Sequence, residues 1–306
     1  MGEKKNIFIF TDCDLDGAGS YLMFKWFISD DIPYKIVRVN DFGAVFKNWY
    51  EKYQNKYDMI YILDLDVSQE CLELVDKNNV TVIDHHKTHV ENKHKYKHAT
   101  AVVQEAPSCT KLLYGIFSKK YKVKLTDEQK LMVLYINDYD CYELKFPQSY
   151  NLNILYWNYQ GDRLDKFLND FGKGFQGFND QQQNIILYNK NKFKSIINKL
   201  AVHVASNVPI GKLKYKLVSV FADSYVNEVA DHIIKNYKAD IGFVVNLKSK
   251  KVSLRKSKTC EVDLGKLATK LFNAGGGHEY AAGGMINEQF LNLTKLFKPM
   301  SIKIGS

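Results

Sequence analysis

Cysteines are few and unpaired: Cys13, Cys71, Cys109, Cys141 and Cys260 are scattered, odd in number and never spaced C-x-x-C. That pattern argues against a disulfide framework or a zinc knuckle and fits a reducing compartment. Long apolar runs are missing as well. The longest, YLMFKWFI, is interrupted by Lys25 and is too short to span a bilayer. The start, MGEKKNIFIFTDCD, lacks the apolar core of a signal peptide, and Asn6 breaks the myristoylation pattern. A cytoplasmic location with no membrane partner is the expectation. Arginine is scarce beside lysine, so the formal net charge of +9 is explained as well by a soluble Lys-rich surface as by an anionic partner. No internal repeat is evident, and no low-complexity tract exceeds QQQN.

What is present is ordinary globular material: 306 residues, 45% hydrophobic and 25% charged, enough for one large or two ordinary domains. The first half alternates β-rich runs with helical windows: NIFIF, GSYLMFKWFI, YKIVRV, a polar helix near 43 to 55, MIYIL, SQECLELVDKN and VTVI. This βαβ rhythm, with strands apolar on both faces, predicts an α/β fold with a parallel sheet covered by helices. Helical windows follow at 107 to 121 and 126 to 138, the second opened by Thr126 with Asp127 and Glu128 in its first turn. Residues 145 to 200, with Asn, Gln, Tyr and Phe interleaved and a long polar helix from about 179 to 200, read as a connecting segment. From about 210 the rhythm resumes with KLKYKLVSVF, VNEVADHIIKNY, IGFVVNL, KVSLR, LGKLATKLF and NAGGGHEYAAGGMI. The expected organisation is a domain over 1–178, a helical connector over 179–208 and a smaller α/β domain over 209–306.

Acids gather where the predicted strands end. TDCDLDG places Asp12, Asp14 and Asp16 directly after NIFIF, Asp64 and Asp66 follow MIYIL, Asp84, His85 and His86 follow VTVI, and Asp138 and Asp140 close LMVLYIN. Like charges so close repel by a few kcal/mol unless a cation sits among them. Each piece has a plain reading: D-x-D-G is also a turn with helix capping, and Asp64 or Asp66 is also a cap for a helix near Ser68. The coincidence of four element ends at one sheet edge carries the case for a pair of divalent cations. Carboxylates with imidazole, and no thiol among them, suit Mn²⁺ or Mg²⁺. Two such ions about 3.5–4 Å apart bind a phosphoryl oxygen and activate a water between them.

DCDLDG, DLD after an apolar strand, DHH and a later DYD resemble, in order and rough spacing, the DHH phosphoesterase family. Its members include RecJ-type exonucleases, nano-RNases, cyclic dinucleotide phosphodiesterases and manganese inorganic pyrophosphatases. The segment KVSLRKSKTCEVDLGKLATKLFNAGGGHEYAAGG resembles the DHH-associated C-terminal domain of the nuclease branch. The resemblance implies Asp14, Asp16, Asp64, His85 and either Asp140 or Asp138 as metal ligands. Asp12 stands where several branches carry a His, so its ligation is a departure. His86 is then expected at the metals facing the substrate phosphate, Asp84 orients the histidines, and Asp66 is only a neighbour.

Gly275, Gly276 and Gly277 are read as a loop whose backbone N–H groups cradle an anion, with His278 as a further donor and Arg255 on the preceding strand gripping a phosphate in two parallel hydrogen bonds. Ala274 replaces a glycine common in the family. The expected activity is hydrolysis of short single-stranded RNA or DNA, or of linear dinucleotides, to mononucleotides with two Mn²⁺ ions. Alternatives are hydrolysis of cyclic dinucleotides or of a 3′-phosphoadenosine nucleotide, and, from another class, a nucleotide-binding regulator that does not cleave. A homodimer is left open.

Overall fold

The computed structural model describes residues 5–277 and 279–286. The described chain divides into two compact units between Asn189 and Lys190. The first unit runs β1 (Ile7–Thr11), α1 (Leu15–Phe27), β2 (Tyr34–Ile36), α2 (Val39–Tyr53), β3 (Met59–Leu63), α3 (Leu72–Val75), β4 (Val80–Asp84), α4 (Lys87–Asn92), β5 (Thr100–Val103), α5 (Cys109–Lys120), α6 (Asp127–Asp140), α7 (Pro147–Asn158) and α8 (Arg163–Phe171). α9 (Asp180–Ile197) straddles the division; the segment expected as a helical connector, 179–208, is helical only to Ile197 and ends within a strand, His203–Ile210.

The five strands form an all-parallel sheet in the order β2-β1-β3-β4-β5. The mixed α/β reading therefore holds. Alternation along β1 explains the two-faced burial. Ile9 enters one core with Leu22, Phe24, Leu113, Met132 and Tyr156, whereas Phe8 and Phe10 enter the other with Phe42, Phe46 and Trp49. Side chains like Phe10 and Phe24, both fully buried, each contribute about 1.5–3 kcal/mol of transfer free energy. Residues 147–171 belong to the first core through Leu155, Leu164, Phe167 and Phe171, and are not the loose connecting tissue that their Asn, Gln and Tyr content suggests.

Two helix starts follow their chemistry. Thr126 and Gln129 form a reciprocal capping box at α6, satisfying two otherwise orphaned N–H groups. Ser108 caps α5 by accepting from Lys111. In contrast, SQECLELVDKN yields only the single turn of α3. Among the described residues no helix is long and apolar enough to cross a membrane.

The second unit contains β6 (His203–Ile210), β7 (Leu213–Phe221), α10 (Val226–Tyr237), β8 (Ile241–Asn246), β9 (Lys251–Lys256), α11 (Leu264–Leu271), β10 (Asn273–Gly277) and β11 (Ala281–Met285). Its six strands are ordered β10-β11-β9-β8-β7-β6, with β7 and β8 parallel and the other neighbours antiparallel. The glycine run is thus an edge strand, where a loop was expected. Close packing is the reason. A Cβ on Gly275 would stand 2.1 Å from the Ala268 carbonyl oxygen of α11, and Gly277 adopts φ +130°. Ala274, where a glycine was expected, holds the left-handed φ of 46° that glycine adopts at no cost.

Candidate metal centre

Strand order 2-1-3 puts a switch point between β1 and β3, where chains leave the sheet in opposite directions and a crevice opens at the carboxyl ends. The acids sit there. Directly after β1, Asp14 caps α1 by accepting from the Gly17 N–H at 2.9 Å, and the Thr11 hydroxyl donates to the Gly17 carbonyl at 2.7 Å. The turn is tight enough that a Cβ on Gly17 would lie 2.3 Å from the Asp12 carbonyl oxygen. Asp16, in the first turn of α1, is buried and accepts from the Cys109 and Thr110 N–H groups at 2.6 and 2.9 Å. Asp64 ends β3 in the left-handed conformation, φ 58°, a strain of about 1–3 kcal/mol that aims its side chain into the crevice.

His85 is the hub. Its Nδ1 lies 3.0 Å from the Ala106 carbonyl oxygen, which can only accept, so Nδ1 carries the proton and Nε2 carries a lone pair in the neutral ring. Around Nε2 stand Asp64 Oδ1 at 3.4 Å, Asp140 Oδ2 at 3.5 Å and Asp16 Oδ2 at 3.6 Å. A lone pair facing three ionised carboxylates is repulsive unless a proton or a metal cation lies among them. Asp64 Oδ1 is, in addition, buried without a hydrogen-bond partner among the described residues. Three carboxylate oxygens and one imidazole nitrogen make a donor set that fits Mn²⁺ or Mg²⁺. Ligand atoms of Asp16, His85 and Asp140 lie within 4.8 Å of one another, and so do those of Asp64, Asp84, His85 and His86.

The electrostatics agree with the geometry. Burial, then the charges of Asp16 and Asp14, push the Asp64 and Asp140 carboxyls well above the ordinary carboxylate range. Burial followed by Asp16 raises Asp14, and burial followed by Asp14 raises Asp12 to about 7. Asp84 behaves oppositely. Burial alone would raise it, but hydrogen bonds from His86 and His89 outweigh that effect and hold it well below the usual value. His86 Nδ1 reaches Asp84 Oδ1 at 2.7 Å, His89 Nδ1 reaches Oδ2 at 2.7 Å, and the His85 N–H donates to Oδ1 at 2.8 Å. For His86, burial would lower the pKa, yet Asp84, Asp140 and Asp14 raise it to about 9. The site therefore combines a nest of high-pKa carboxyls that favour a metal cation with a neighbouring imidazole that favours a proton.

The predicted residues thus divide. Asp16, Asp64, His85 and Asp140 converge. Asp84 has both oxygens engaged by the histidine array and orients it, and His86 adjoins the cluster. Asp12 and Asp14 border the centre, perturbed by its charges, but their ligand atoms are not among those gathered within 4.8 Å. Asp138 is set apart: its oxygens accept from the Lys145 and Phe146 N–H groups at 3.0 and 3.2 Å and fix the chain entering α7. Asp66 accepts from Ser68 and Thr88 and closes the turn after β3. His89 escaped the reading of the sequence. It is wholly buried, its Nε2 pairs with the Tyr96 hydroxyl at 2.8 Å, and its only signal was an i, i+3 spacing from His86 in a stretch crowded with Lys and His.

In the second unit, Arg255 lies on β9 opposite Gly242 and Ala281. Its guanidinium donates to the Leu254 carbonyl at 2.9 Å and to Asn227 Oδ1 at 2.7 Å. Gly276, on the edge strand β10 and with open space where a Cβ would be, pairs with Gly283 of β11. His278 lies outside the described residues.

Comparison with known proteins agrees with this architecture. No curated protein sequence matches the chain. Among solved structures, the pGpG-specific phosphodiesterase PggH from Vibrio cholerae aligns over 96% of this chain and 97% of its own, with TM-score 0.57 and 15% identity. RecJ from Thermus thermophilus, in complex with Mn²⁺, aligns over 96% of this chain and 51% of its own, with TM-score 0.61 and 13% identity. An exonuclease RecJ bound to manganese aligns over 96% and 89%, with TM-score 0.53 and 15% identity. At these identities the likeness is one of fold. The model of the DHH family, N-terminal domain, matches residues 6–136, the segment that delivers Asp16, Asp64 and His85 to the crevice.

Proposed function

We propose that the protein is a metal-dependent phosphodiesterase that hydrolyses short single-stranded oligonucleotides or linear dinucleotides to mononucleotides. The observation that carries this reading is the lone pair of His85 Nε2 facing the carboxylates of Asp16, Asp64 and Asp140 within 3.6 Å. Those four side chains would hold a divalent cation, Mn²⁺ or Mg²⁺, and Asp12 and Asp14, which border the centre, are the further carboxylates available to a second. Bound there, such ions supply Lewis-acid polarisation of a phosphoryl oxygen and of the attacking water. The protein's own groups do the rest. Asp84 orients His86 through Nδ1, and the protonated ring offers a donor to a non-bridging oxygen or to the departing ribose oxygen. In the second unit, Arg255 and the backbone of Gly275, Gly276 and Gly277, with His278, would hold the end of the substrate in the manner of a DHH-associated domain.

The relatives of like fold support the substrate class: one is described as acting on pGpG, a linear dinucleotide, and others as exonucleases. A cytoplasmic site of action accords with the five scattered cysteines. The test is turnover of an end-labelled linear dinucleotide and a five-nucleotide RNA, alongside cyclic di-AMP and phosphoadenosine phosphate. Hydrolysis of the linear substrates should stop in chelator, return with Mn²⁺, and fall at least about 100-fold in a His85→Ala, Asp140→Ala double variant. Wild-type rates in that variant would sink the assignment.

A further inference from the structure

The chain has only three arginines, Arg38, Arg163 and Arg255, and two of them come to the same turn of the first unit. Arg38 follows β2, whose continuation is bonded to β1 through the Val37 N–H and the Thr11 carbonyl. Its guanidinium lies in hydrogen-bonding reach of the Cys13 thiol. Arg163, the first residue of α8, reaches across 150 positions to donate to the Cys13 carbonyl at 3.4 Å. Cys13 is the residue between Asp12 and Asp14, so both guanidiniums flank the edge of the metal centre.

Neither arginine is used as a structural cation usually is. Among the described residues no ion pair involves Arg38 or Arg163, although carboxylates abound nearby. Arg38 occupies the N-cap position of α2, is exposed, and makes no side-chain cap. Arg163 is held by stacking. Its guanidinium carbon lies 4.3 Å from the centroid of Trp157, whose ring is 43% exposed, and 5.5 Å from that of Tyr156. Its Nε is buried without a hydrogen-bond partner among the described residues. An indole under the guanidinium fixes its plane; with Nη1 turned to the Cys13 carbonyl and Nε buried, Nη2 is the group left to meet an oxyanion. Arg163, so held, and the exposed Arg38, both beside a centre that takes the scissile phosphate, match a substrate with a second phosphate one nucleotide away.

We propose that Arg38 and Arg163, the latter set on Trp157, form a phosphate subsite for the internucleotide phosphate next to the scissile one, and so make the enzyme prefer chains of at least three nucleotides. The inference rests on the function proposed above and deepens it. It also predicts a length preference that arises within the first unit.

The test compares a trinucleoside diphosphate with a dinucleoside monophosphate, both without terminal phosphates, in Mn²⁺. The ratio of kcat/KM for the longer over the shorter substrate should fall at least tenfold in Arg38→Gln, Arg163→Gln. Trp157→Ala should lower the same ratio, and Trp157→Phe should restore most of it. Calorimetric titration with Mn²⁺ reads the integrity of the Asp12–Asp14 turn separately. An unchanged ratio overturns the subsite, and so does an equal loss on both substrates accompanied by weaker Mn²⁺ binding, which would make the arginines mere supports of the turn. If the wild-type protein cleaves neither substrate, the proposed function fails. Binding of non-hydrolysed phosphorothioate versions of the two chains then decides the subsite by the same tenfold ratio.

Discussion

Replacing Asp64 with Asn should change stability in opposite directions depending on metal. Asn tolerates the left-handed backbone that Asp64 adopts at φ 58°, and it keeps the volume, so the substitution chiefly deletes one buried negative charge. Asp16 and Asp140 approach the same His85 nitrogen from 3.6 and 3.5 Å, which places the three carboxylates a few ångströms apart. At separations of roughly 4–7 Å and an effective dielectric of 20, each charged neighbour repels Asp64 by about 2–4 kcal/mol. Raised carboxyls bind protons in the folded state that the unfolded chain has released. Their stabilisation is therefore full below a pH of about 4 and is lost as pH rises through their folded values, Asp12 at about 7 among them. In chelator at pH 8, Asp64→Asn should be more stable than the wild type by about 1–4 kcal/mol. In Mn²⁺ at 100 times its dissociation constant the wild type should gain about 2.7 kcal/mol, and the variant much less. Urea denaturation followed by circular dichroism, with chelator and with Mn²⁺ at pH 5 and 8, measures all four cases. A variant that is destabilised in chelator at pH 8 and gains as much from Mn²⁺ as the wild type would refute the argument that these carboxylates converge on a cation.

Two further outcomes follow from the hydrogen bonds. His89→Ala should cost about 2–4 kcal/mol in chemical denaturation, because Asp84 would keep a buried charge with one fewer donor. Asp138→Ala and Asp140→Ala should separate in calorimetric Mn²⁺ titration and in denaturation: the first loses stability by about 1–3 kcal/mol through the Lys145 and Phe146 N–H groups while keeping the metal, and the second loses metal affinity with little loss of fold.

The sequence was most informative where a strand's end and a charged side chain coincide. Asp16, Asp64 and His85 follow runs such as NIFIF, MIYIL and VTVI, whose burial on both faces announces a parallel sheet. The choice between Asp138 and Asp140 was closed to it, because two positions on a helix point to nearly opposite sides and only the packing of α6 says which side meets the crevice. β5 and β6 were missed for a different reason. TAVV is short, and β6 is exposed along most of its length, so neither shows an apolar period. Glycine carries little strand propensity, and the run at 273–277 becomes a strand only through β11 on one side and α11 packed against it. Arg163 gave no local cue at all. Its meaning comes from Trp157 and Cys13, neighbours supplied by the fold.

The region matched by the family stops at residue 136, whereas the fourth donor to the cluster is Asp140, and α7 and α8, beyond it, complete the same core. A fragment cut at that border would keep every strand of the parallel sheet yet lose one of the three carboxylates gathered around His85 Nε2, together with the end of α6 and the helices that pack on the apolar back of α1. The smallest piece that keeps the whole cluster is therefore larger than the region the family model matches.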